Sequence, residues 1–103
     1  MTDPVERVNR AVAVLATGEG RIRDRLYEAL KILDPLEPDD FPDDEARRRF
    51  EWLRVNLGLD RRHGSGLTIL ATVERMKEPG AADIARRILD LGERVRGGAL
   101  AER

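Results

Sequence analysis

The sequence predicts an all-α fold, a compact bundle of four to five short helices whose first two form an antiparallel hairpin. Three observations predict it. Apolar residues recur at steps of three and four in five separate stretches, the period of a helix with one buried face. Period-two alternation is nowhere sustained, and strand-favouring aromatics are scarce, with four in 103 residues. Between the stretches stand Gly and Pro, the residues that interrupt helices. The length fits a single helical domain over residues 1–103, with 97–103 as a frayed tail.

The first helix opens at Asp3, which can cap, and Pro4, which suits the first helical position. Val5, Val8, Val12 and Leu15 form its buried stripe. It stops near Thr17-Gly18-Glu19-Gly20, with Gly18 suited to a left-handed cap. The second helix runs from about Gly20 to Leu33, with Ile22, Leu26, Ala29 and Leu33 aligned and Tyr27 and Leu30 widening the face. Asp34-Pro35 ends it, because a residue before proline is pushed out of helical geometry. So short a link between the two helices makes an antiparallel hairpin the natural outcome.

Residues 34–45 read as a loop with seven acids, three prolines and no base. Leu36 and Phe41 are its candidates for burial. Pro42 is expected to open the third helix, which runs to about Asn56 with acids in its first turn, where the helix dipole favours them. This helix carries two apolar stripes. At about 100° per residue, Ala46, Phe50, Leu53 and Leu57 fall on one side. Trp52, Val55 and Leu59 fall nearly opposite, with Leu59 contingent on the helix surviving Gly58. After a second loop, Ser65 or Gly66 starts the fourth helix, with Ile69, Leu70, Val73 and Met76 as its stripe. Glu78-Pro79-Gly80 is read as a break. The fifth helix then spans about Ala81 to Arg96, with Ile84, Ile88, Leu91 and Val95 in register, Asp83–Arg87 and Asp90–Arg94 as i,i+4 pairs, and Gly97-Gly98 as its stop.

Composition narrows the function. There are 19 basic and 20 acidic residues, a net charge of −1, which argues against a protein built mainly to neutralise phosphates. The bases are 17 Arg against two Lys, a bias that fits a GC-rich bacterial genome. Without cysteine there are no disulfides and no thiolate metal sites. No apolar run approaches the ~20 residues of a membrane span, and the first residues lack the pattern of a signal peptide, so the cytoplasm is the expected compartment.

Candidate chemistry is sparse. One His, one Ser and no Cys leave His63 and Ser65 as the sole nucleophile-and-base pairing. Two residues apart on a Gly-flanked loop, they lack a built orienting group and oxyanion hole, so no enzyme, no catalytic residue and no cofactor is expected. Asp39, Asp40, Asp43 and Asp44 have neither the alternation nor the glycine turn of a calcium loop, and no metal is expected. The run Arg61-Arg62-His63-Gly64-Ser65-Gly66 has anion-binding ingredients without the P-loop ending.

Two readings remain. Trp and Arg are the residue types most enriched at interface hot spots, and Trp52, Val55, Leu59 and Arg48 share the outer side of the third helix. The sequence therefore predicts a small non-enzymatic protein-protein interaction module, a homodimer or a subunit of a larger assembly. The alternative is an Arg-rich nucleic-acid-binding adaptor using Arg47, Arg49, Arg54, Arg61 and Arg62, which gather in the helix and loop 47–62.

Overall fold

Each of the five apolar stretches folds as a helix. The computed structural model describes residues 3–41, 43–57 and 65–101, with the side chains of all of these except 65–68 and 97–101. Its elements are α1 (Pro4–Thr17), α2 (Ile22–Leu33), a short 3-10 turn (Pro38–Asp40), α3 (Asp44–Leu57), α4 (Ser65–Glu74) and α5 (Glu78–Ala101), with no strand among the described residues. Leu59, Arg61, Arg62 and His63 lie outside the described residues, as does Pro42.

The first two helices form the expected hairpin, and two arginines close it at both ends. Arg7, near the start of α1, donates to the Ile32 carbonyl at the end of α2 at 2.8 Å. Arg25 on α2 donates to the Leu15 carbonyl at the end of α1, also at 2.8 Å. The last carbonyls of a helix have no partner within it, so each guanidinium satisfies one and sits at the favourable end of a dipole. Asp3 caps α1 by accepting from the Val5 amide at 2.9 Å. The left-handed residue of the turn is Gly20, with φ 100°, and not Gly18, whose φ is −65°. Gly18 is required for a different reason. A Cβ there would lie 2.4 Å from the Val14 carbonyl oxygen.

The core is one continuous, mostly aliphatic body to which every helix contributes, with Val8, Leu26, Leu30, Phe50, Ile69, Ile88 and Leu91 fully enclosed. Burying such side chains stabilises by about 1.5–3 kcal/mol each before the entropy of ordering is subtracted. α5 packs against α1, α2 and α3, while α2 also receives α4. α5 approaches α1 closely at Gly92, where a Cβ would stand 2.6 Å from Val12 Cγ2. Leu36 and Phe41 are buried as expected, and the Phe41 and Phe50 rings lie 5.0 Å apart, tying the segment before α3 onto that helix.

Three boundaries and one buried position differ from expectation. α3 begins at Asp44, with Asp43 as its cap, because the Asp43 carboxylate accepts from the Ala46 amide at 2.9 Å. Glu78-Pro79-Gly80 starts α5 instead of breaking the chain. The first-turn amides of a helix have no acceptor within it, so proline is tolerated there, and the Ala81 amide already bonds the Lys77 carbonyl at 3.0 Å. The same helix continues through Gly97 and Gly98 to Ala101. A helical glycine costs about 1 kcal/mol relative to alanine, which weakens a helix without ending it. Leu70, assigned to the buried stripe of α4, is 36% exposed, while Ile69 and Val73 are enclosed.

Candidate functional site

α3 builds the candidate site because its two stripes meet different fates. Ala46, Phe50, Leu53 and Leu57 are all buried, as the helical period requires. On the other side Trp52 is 37% exposed and Val55 69% exposed. The outer stripe is therefore not absorbed by the chain's own core. α5 covers Trp52 in part. The Arg87 guanidinium carbon stands 3.9 Å from the centre of the indole ring. Its Nε also bonds the Asp83 carboxylate at 3.3 Å, the i,i+4 pair the sequence predicts. The cation thus lies on the ring face, attracted by the π-system, with an acid holding it from behind.

The ring lies at the junction of two shallow depressions. One is lined by Glu45, Arg48, Arg49, Trp52 and Arg87. The other is mostly apolar and runs from Pro38 and Asp39 past Arg48 and Trp52 to Val55 and Asn56. Arg48 borders both, with its side chain 78% exposed, so the residue paired with Trp52 in the sequence stands beside it in space. Asn56 donates its side-chain amide to the Trp52 carbonyl at 2.8 Å.

The arginine cluster is partnered from within α3. Arg47 pairs with Asp44 at 3.4 Å, Arg49 with Glu45 at 3.2 Å and Arg54 with Glu51 at 3.7 Å. Arg47 further donates to the Phe41 carbonyl at 3.1 Å. Arg48 has the loosest pairing, 4.0 Å from the Glu45 that Arg49 already holds. Of the residues named for nucleic acid, Arg47, Arg49 and Arg54 lie along one helix, and Arg61 and Arg62 lie outside the described residues.

Asp43 and Arg94 lock α3 to α5, and the sequence did not announce this pair. Arg94 Nε and Nη2 reach the two Asp43 oxygens at 2.7 and 3.0 Å, a bidentate arrangement. The expected partner of Arg94 was Asp90, one turn away on its own helix; a rigid carboxylate already fixed as the cap of α3 takes its place. The hydrogen bonds from Arg94, then the Ala46 amide, hold the Asp43 carboxyl down at about 2. Arg94 is held more firmly protonated in return. Asp40 is likewise engaged, accepting from the Glu37 amide at 2.8 Å. The described residues contain no group of three His, Asp or Glu able to hold a metal ion, and no described helix is long and apolar enough to cross a membrane.

No protein-family model matches the chain, and no curated protein or solved structure is similar enough to it to carry an argument, so the geometry of α3 stands on its own.

Proposed function

We propose that the protein is a small non-enzymatic protein-binding module of the cytoplasm that docks through the outer face of α3. Trp52 and Val55 form its apolar centre, and Arg48 its charged edge. The observation that carries the reading is the second stripe. A helix with its own apolar side fully buried still presents Trp52 at 37% and Val55 at 69% exposure. Such a surface excludes water to advantage only when another surface covers it. Leu59, the third member named from the sequence, lies outside the described residues. The pairing of Arg47, Arg49 and Arg54 with acids on α3 favours this reading over the nucleic-acid one, since phosphates would compete with carboxylates already in place.

The test is differential capture from the native host with three baits: wild type, Trp52→Ala and Val55→Asp. The expected result is a protein held by wild type and lost by both variants, with melting temperatures showing that both remain folded. Identical captures from all three baits would refute the reading. So would a stability loss of about 3–5 kcal/mol in Trp52→Ala, the size seen when a core aromatic is truncated.

A further inference from the structure

The outer face of α3 carries its own information about what covers it. Glu45, Arg48, Trp52 and Val55 are spaced by three, four and three residues and so follow one line along the helix, charged in its first half and apolar at Trp52 and Val55. The charged residues lining the face are Arg47, Arg48, Arg49 and Arg87 against Asp39, Glu45 and Glu51, with Asp83 paired to Arg87, so the face is close to neutral. A neutral face gives no steering to a strongly acidic or strongly basic partner. It does suit a surface that carries the same mixture.

We propose that this face docks a second copy of the same chain, with the two α3 helices antiparallel and Trp52 of each against Val55 of the other. The proposal rests on the docking role of the face argued above. Orientation follows from the charge order along the helix. A parallel pair would set Asp44, Glu45 and Glu51 beside the same acids of the copy, and Arg48 and Arg49 beside the same arginines. The antiparallel pair separates these like charges and sets the two helix dipoles head to tail. It also stacks two adjacent apolar layers, each of Trp52 from one copy against Val55 of the other, with Arg49 near Asn56 of the other chain. Two-fold symmetry makes every contact occur twice, so a short patch counts double. In that register the two helices overlap over residues 50–57 of α3, about 12 Å of helix, a patch much smaller than the roughly 800 Å² per partner of a standard stable interface. The dimer is therefore weak and concentration-dependent.

The test is light scattering on the full chain from roughly 5 to 500 µM, the span over which an interface of this class dissociates. The expected result is a mass that rises towards twice the monomer in wild type and stays monomeric in Val55→Asp, with both proteins equally stable. A wild type that stays monomeric throughout overturns self-docking. It leaves the broader docking role to be judged by the differential capture, which has its own failing result. Orientation is read separately, because the chain has no cysteine. Mixing R49C with N56C and adding a short thiol cross-linker should link the two variants to each other. Preferential linking of each variant to itself overturns the antiparallel arrangement.

Discussion

Truncating Arg87 should cost a small, coupled amount of stability, and its size tests whether α5 holds Trp52 in place. The guanidinium is 3.9 Å from the ring centre, well inside the ~6 Å over which a cation is drawn to an indole. The Arg87 side chain is 46% exposed, so water screens the attraction and the lower range applies, about 0.5–1 kcal/mol. The exposed pair with Asp83 adds about 0.3–0.5 kcal/mol. Arg87→Ala should therefore destabilise by about 1 kcal/mol, and the single variant cannot divide that sum. A cycle of wild type, Arg87→Ala, Trp52→Ala and the double variant can, and its coupling should be about 0.5–1 kcal/mol. Urea unfolding followed by circular dichroism serves all four proteins, since tryptophan fluorescence disappears with Trp52. Extrapolation to water carries about 10–15% error, which on a stability of ~5 kcal/mol equals the coupling itself. The four free energies should accordingly be compared at one urea concentration near the midpoints. Arg87→Lys keeps the charge and the pair with Asp83 but gives up planar stacking, and should lose part of the coupling. Effects that add to within about 0.3 kcal/mol would refute the claim that α5 fixes the ring.

Three further outcomes follow from the geometry. Gly92→Ala should destabilise by about 1–3 kcal/mol despite alanine's better helix propensity, because its Cβ meets Val12 Cγ2 at 2.6 Å. Val12→Ala in the same chain should recover part of the loss, and a more stable Gly92→Ala single variant in thermal melts would show that the helices can separate freely. Gly20→Ala should cost about 1–2 kcal/mol for its φ of 100°, whereas Gly20→Asn should cost less; equal losses in urea unfolding would remove the backbone as the cause. The pH dependence has a definite sign. Asp43's carboxyl is lowered from 3.8 to about 2, so the folded state favours its charged form, and the stability it lends is present above 3.8 and lost as pH falls towards 2. Asp43→Asn should flatten that part of an acid titration followed by circular dichroism, and an unchanged slope would deny the lock with Arg94 any role in acid stability.

The stripes were legible because helical periodicity is local. Ile84, Ile88, Leu91 and Val95 on α5, and Ala46, Phe50, Leu53 and Leu57 on α3, are all buried where the 100° step places them. Punctuation was legible in part. Glycine and proline marked the junctions, but proline at the first turn starts a helix while proline further in would stop it, and nothing before Glu78 distinguishes the two. Contacts between helices were not legible. Arg87 on Trp52, Arg94 on Asp43 and Gly92 against Val12 depend on how far one helix is rotated about its axis relative to another. That rotation comes from the packing of the whole core. An i,i+4 rule correctly paired Arg87 with Asp83 and had no means of seeing that the same guanidinium also caps an indole from a different helix.

The choice of arginine at position 87 bears on the question the third helix poses. A Leu in its place would enclose Trp52 as a core residue, with its stability tied to the fold. A guanidinium must stay partly hydrated, so it can shield one ring face while the rim remains wet. Its reach is long enough to hold the ring without a close approach of backbones. Trp52 is then ordered by its own chain and yet still has surface to give up. A side chain already fixed in its rotamer loses less entropy on association than a free one, by about 0.5–1.5 kcal/mol for a rotamer-rich residue. The stack on Trp52 and the exposure of Val55 beside it thus act in the same direction. One lowers the entropy cost of covering the face, and the other supplies apolar area that remains to be covered.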